Sequence, residues 1–288
     1  MDRHSLRRAE LSWEGNTLVF TNYEDPTAPT AAYLTTLDGW YGGVGISAEA
    51  TQRAVHHGQV AAKGQRTGRS LTLGAQMYFE HERDRDIADR FVSGILQDGG
   101  FGELTYTVDG IEATAYVRLD GEVKHATTGY DYIELEVPLF APNPYLFGKK
   151  KRITMPTITS GAGLEWDGGL FADGILDWGD SAPIPVATND GNAPSWMTFS
   201  VSGEMDFGFE ISIGNNHIVW PHHLNNNRDV IIDTGRGRVT RGGVDVTHML
   251  ESWDWAPIPP YSSVSPVFKT FTPHASGFCR AEWSDTYI

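Results

Sequence analysis

The sequence predicts a mainly-β protein of two units with a single longer helix. Three observations carry that reading. Short runs of alternating apolar and polar residues recur along the chain, as strands with one buried face require. The chain's 32 glycines and 15 prolines supply turns between them. Only one stretch repeats its apolar residues at helical spacing, and the βαβ order of a Rossmann-type or TIM-barrel enzyme is absent. At 288 residues the length fits two domains or one large all-β domain, ample to bury a core without staples.

In the first unit, residues 1–148, the helix is expected at about 82–97. Ile87, Phe91 and Ile95 recur every four positions, and Ala88, Val92 and Leu96 widen that stripe. Such a stripe lies on a core, so Phe91 is expected on the buried face. Glu82, Asp84 and Asp86 crowd its start, where the helix dipole favours negative charge. Gly99 and Gly100 supply the left-handed exit. Strands follow. Leu104, Tyr106 and Val108 alternate with polar partners up to Asp109-Gly110, and Ile111, Ala113, Ala115, Val117 and Leu119 alternate again up to Asp120-Gly121. Asp-Gly between alternating runs is the strongest short-range hairpin signal. Ile133, Leu135 and Val137 continue inward, with Glu134 and Glu136 facing out.

Pro138, Pro142 and Pro144 then fall within seven positions. Proline has no N–H to give a sheet, so this segment reads as a stiff, extended exit and not as a central strand. Lys149-Lys150-Lys151-Arg152, the one basic run, reads as a solvated linker. Residues 153–288 are expected to be all-β. Met197–Val201, Phe207–Ile213, His217–Trp220, Val230–Ile232 and Arg238–Thr240 have the spacing of a β-sandwich. No fixed-period repeat or low-complexity tract interrupts either unit.

The charge narrows the function classes. Residues 1–148 carry 12 basic and 21 acidic side chains, residues 153–288 carry 6 and 16, and the whole chain has a net charge of −15. An acidic surface repels phosphate backbones, which disfavours tight, sequence-independent nucleic-acid binding. No apolar run approaches the length needed to cross a bilayer, and the first residues lack the apolar core of a signal peptide. A soluble protein without membrane contact is expected. The single cysteine, Cys279, excludes an internal disulfide framework.

A search for chemistry gives no catalytic, cofactor-binding or metal-binding set. Gly235-Arg-Gly237-Arg-Val-Thr-Arg-Gly242 lacks the Lys-Ser/Thr end of a phosphate loop and reads as a turn between strands. Cys279 has no local base or cation to lower its pKa, and reads as a packing residue. His56-His57 and the group His217, His222 and His223 lack the further donors of a closed zinc site. Tryptophans concentrate late in the chain, at Trp166, Trp178, Trp196, Trp220, Trp253, Trp255 and Trp283. Such residues stack on sugar rings when exposed and fill sandwich cores when buried, and the core reading is favoured.

The order of segments resembles the distal tail protein of long, flexible-tailed, siphovirus-type bacteriophages. In the first unit the resemblance runs through the His57-Gly58 turn, the run Arg69–Gly74, the one amphipathic helix and the Pro138–Pro144 exit. In the second it runs through Gly179-Asp180, Val230–Thr234, Gly242–Asp245 and Trp255–Pro260. Pro259-Pro260-Tyr261-Ser262-Ser263 departs from the Pro-Gly-Asn-like turn frequent in the family.

The resemblance implies a tail-tube-like β-barrel or sandwich with one flanking helix, then a galectin-like, carbohydrate-binding-module-like sandwich. It implies a virion protein made in the host cytoplasm, with no catalytic residues and no cofactor. Its expected partners are further copies of itself in a homohexameric ring, the tail tube protein, the tail-tip hub, and receptor-binding or fibre proteins. DNA would pass through the ring without specific binding, along a lumen with more Asp and Glu than Lys and Arg. The alternative is a carbohydrate-binding module or lectin, or less readily a glycosidase, using the aromatic-rich second unit. A neighbouring tip or fibre-anchoring protein would differ only in partners and symmetry.

Overall fold

A computed structural model describes residues 5–22, 32–128, 132–156, 158–159, 185–225, 228–272 and 276–288. The chain divides into two compact units, one of residues 1–149 with 287–288 and one of residues 150–286.

The first unit begins with β1 (Arg7–Trp13), β2 (Asn16–Thr21) and β3 (Ala32–Asp38). Four short strands follow, β4 (Ile46–Ser47), β5 (Ala50–Gln52), β6 (Gln59–Ala61) and β7 (Gln65–Arg66). Then come β8 (Arg69–Tyr78), α1 (Glu82–Ser93), β9 (Gly102–Val108), β10 (Ile111–Leu119), β11 (Lys124–Thr128), β12 (Tyr132–Ala141) and β13 (Leu146–Pro156). Strands β12, β8, β3, β2, β1, β9 and β10 pair in that order, and β10 pairs back onto β12 through Arg118↔Phe140 and Leu119↔Leu139. Seven strands thus close a barrel, and closure removes the free sheet edges that invite foreign strands.

Alternation decides what the barrel encloses. Along β12, Ile133, Leu135, Val137, Leu139 and Ala141 are buried while Glu134 and Glu136 face out, the arrangement expected from the sequence. Leu104, Tyr106, Ala115 and Val117 join the same core from β9 and β10. The β9–β10 hairpin turns at Asp109-Gly110, with φ of 49° and 84°, the positive values a two-residue loop needs. Asp120-Gly121 does not make the second expected hairpin. It leads to β11, which pairs with β12 and not with β10.

Four other expectations change. The helix ends at Ser93, four residues short of 97, where Gly94 replaces the next α-helical bond with a tighter one to Phe91 O. Leu96 then takes φ of 47°, which turns its side chain into the core. The helix also presents a different face. Val92 and, beyond its end, Ile95 and Leu96 are buried, whereas Phe91 is 39% and Ile87 57% exposed. The apolar stripe covers about half the helix circumference, so Ile87 and Phe91 fall on its outer margin at 100° per residue.

Pro138 lies inside β12, opposite Thr72 of β8. Pairing with β11 ends at Glu136 and pairing with β10 begins at Leu139, so Pro138 occupies the gap between two partners. Its carbonyl points into that gap and accepts from Asp120 N at 3.0 Å, and its nitrogen points the same way, where no ladder bond is lost. Lys149–Arg152 belong to the strand β13 and not to a loose linker.

Among its described residues the second unit has two larger sheets that share a core, and a two-stranded pair of Ala187–Asn189 with Ser262–Val264. One orders Ser276–Tyr287, Thr198–Glu204, Val230–Asp233, Arg238–Arg241 and Val244–Asp245. The other orders Ile158–Thr159, Pro266–Thr270, Phe209–Ile213, Asn216–Trp220 and Ser252–Trp253. Phe199, Val201, Ile232 and Ala281 from the first meet Phe209, Ile211, Trp220 and Phe268 from the second in one core. The segment with Gly179-Asp180, Trp166 and Trp178 lies outside the described residues.

Candidate interaction surfaces

The chemistry-bearing residues are dispersed. His217 pairs with Glu210, His222 Nε2 lies 3.1 Å from Met249 O, and His223 Nδ1 lies 3.4 Å from Asp206. Three separate partners hold three histidines apart, and no group of three or more His, Cys, Asp or Glu converges among the described residues. Cys279 is fully buried, and burial pushes its thiol up, away from the thiolate form that attacks substrates. The Gly235–Gly242 segment is turn and strand, with Gly237 and Gly242 at positive φ.

Of the late tryptophans, Trp220 and Trp283 fill the core as expected. Trp196 and Trp253 do not, being 42% and 57% exposed. Trp196 and Trp255 both stand close to the Gly235–Gly237 turn, where an added Cβ would meet them at 3.1 and 3.3 Å.

Two basic residues are tied down. Lys151 Nζ lies 2.8 Å from Asp285 and 2.9 Å from Asp190. Burial pulls the ammonium's pKa down, but hydrogen bonds to both carboxylates outweigh it and hold the pKa above its usual value. Arg69 is fully buried and faces carbonyls instead of acids. It donates from Nη1 to Gly39 O at 2.8 Å and Trp40 O at 3.0 Å, and from Nε to Pro144 O at 3.1 Å. Burial, and then the nearby charge of Arg66, lower its pKa. Gly39 has φ of 79°, and a Cβ there would stand 2.2 Å from Ser70 O, so only glycine fits the loop Arg69 holds.

That loop carries a two-stranded ribbon. β4 pairs with β7 and β5 with β6, and Arg53 N bonds Gly58 O across a tip that contains His57-Gly58. From residue 45 to 67 every residue but Gly64 is exposed. The same unit has an open groove of about 610 Å³ between α1 and the strands β2 and β8. Leu18, Val19, Phe79, Ile87 and Phe91 give it an apolar floor and wall, and Glu80 and Asp84 give it an acidic rim. Sequence reasoning placed Phe91 beneath the helix, and so missed this surface. Its only signal was the excess width of the apolar stripe.

No family model and no curated protein matches the sequence. Solved structures do. The phage P2 baseplate in its activated conformation matches with calcium at 12% identity and a TM-score of 0.48, covering 99% of this chain and 98% of that one. The form with strontium matches at 13% and 0.46, covering 96% and 97%. The SPP1 Dit protein, described as a paradigm of the hub adsorption apparatus in phages infecting Gram-positive bacteria, matches at 14% identity and a TM-score of 0.61. With 97% of this chain and 99% of that one superposed, the chain has the fold of the SPP1 Dit protein.

Proposed function

We propose that the protein is a structural component of a phage tail tip, a distal tail protein that joins the tail tube to the baseplate or hub. The observation that carries this reading is the end-to-end likeness in fold to SPP1 Dit. A buried thiol and a buried Arg69 spent on carbonyls are packing and anchoring roles that suit a scaffold. The first unit is proposed to form a homohexameric ring. The second, read as a galectin-like sandwich, would carry the hub and the receptor-binding or fibre proteins. DNA would leave through the lumen, and an acidic wall would keep the passing phosphate backbone from sticking.

Electron microscopy of the purified chain, with light scattering for mass, tests this reading. A closed ring with an acidic lumen is expected. A chain that stays monomeric alone and is missing from virions overturns it.

A second reading rests on Trp196 and Trp253, whose exposed indoles on a β-sandwich suit a sugar ring. Under this reading the second unit binds glycans. Titration with host cell-wall polysaccharide tests it, and loss of binding in Trp196→Ala and Trp253→Ala is expected.

A further inference from the structure

Two surfaces of the first unit lack an intramolecular partner among the described residues. The ribbon β4–β7 leaves Val55 71% and Val60 61% exposed, with Ile46 exposed beside them. A lone two-stranded ribbon is marginal in water, because its few backbone bonds do not outweigh the entropy of ordering it. A ribbon with outward valines gains order by burying them on another surface. The groove beside α1 is the second surface. Its Ile87 and Phe91 stay open to solvent, and none of its lining comes from the ribbon.

The two are complementary in charge as well as polarity. Between residues 45 and 67 the ribbon has one acid, Glu49, against Arg53, Lys63 and Arg66, in a chain of net charge −15. The groove rim is acidic at Glu80 and Asp84, while the neighbouring Arg85 is engaged by Glu82 and Asp86. A cationic ribbon beside acidic rims lowers the repulsion that the chain's overall charge imposes on self-association.

We infer that the ribbon of one copy seats in the α1 groove of the next, with Val55 and Val60 against Ile87 and Phe91, and Arg53 and Lys63 against Glu80 and Asp84. The inference rests on the ring reading and deepens it. Donor and acceptor are different patches, so the contact is head-to-tail, the kind that closes into a ring by rotation and not into a two-fold pair.

The test uses the full chain. Ile87→Glu, and separately Arg53→Glu with Lys63→Glu, should each weaken assembly by roughly tenfold or more with melting of the dispersed chain unchanged, since these three side chains are on the surface. Glu80→Lys with Asp84→Lys should do the same, and combining it with the ribbon reversal should restore assembly. Copies bearing only Val60→Cys, mixed with copies bearing only Ile87→Cys, should form a mixed disulfide, because Cys279 is buried and silent. Rings that persist in every variant overturn the inference and leave the ring reading standing. Capture of the ribbon by another tail protein, with the ring intact, does the same. A wild-type chain that stays monomeric alone and is missing from virions overturns both.

Discussion

The rings of Trp13 on β1 and Phe91 on α1 lie 5.6 Å apart at 43°, so one side of Phe91 is packed and the other faces the groove. That division of one side chain between fold and surface sets the first expectation. Phe91→Ala should cost about 1–2 kcal/mol, short of the roughly 3–5 kcal/mol of a fully buried Phe. Ile95→Ala, at a buried position, should cost about 2–5 kcal/mol. Urea unfolding of the two variants checks the order, and a Phe91 variant that loses more than the Ile95 variant would place the helix the other way round.

Arg69→Met should free the carbonyls of Gly39, Trp40 and Pro144 at once. An expected loss of roughly 3 kcal/mol follows from orphaning buried acceptors that had a charged donor. Limited proteolysis should then cut within residues 39–44, ahead of the rest of the chain. An unchanged digestion pattern contradicts the anchoring role.

Cys279 should resist thiol reagents at neutral pH until the second unit unfolds, since burial raises its pKa and blocks access. Cys279→Ser should cost about 1–3 kcal/mol by burying a hydroxyl in an apolar core, and Cys279→Ala less. Thiol titration with and without denaturant, together with melting of both variants, reads this directly.

Lys151 makes stability depend on alkaline pH. Its folded pKa is raised, so the contribution is complete below the unfolded value of about 10.4 and fades as pH climbs through the folded one. Lys151→Met should remove this part of the decline above about pH 10. Identical alkaline profiles for the variant and the parent would show that Asp285 and Asp190 do not hold the ammonium in solution.

Much of the architecture is legible from period-two patterning. Glu134 and Glu136 between Ile133, Leu135 and Val137 announce both a strand and its faces, and Asp109-Gly110 announces its turn. The helix face is not, because apolar residues at 87 and 91 and at 88 and 92 satisfy helical spacing equally well. That Val92 is buried and Ala88 half-buried depends on strands distant in sequence. Pro138 misleads for a similar reason: proline's penalty is local, but the place where β12 changes partners is set by tertiary pairing. The ribbon gives almost no signal beyond His57-Gly58, since a segment exposed on all sides has no reason to alternate.

Barrel closure also governs when the first unit can fold. Leu11 must find Leu104, and Arg118 must find Phe140, before the core is sealed. Loop closure over such sequence separations is entropically unfavourable until the final partner arrives, which places folding toward the millisecond-to-second regime. During synthesis, residues up to Ala141 must therefore emerge before the nascent barrel is secure. The ribbon is made entirely of local pairs and can form much earlier. A chaperone that shields the half-made barrel would meet the ribbon first, with its valines already exposed.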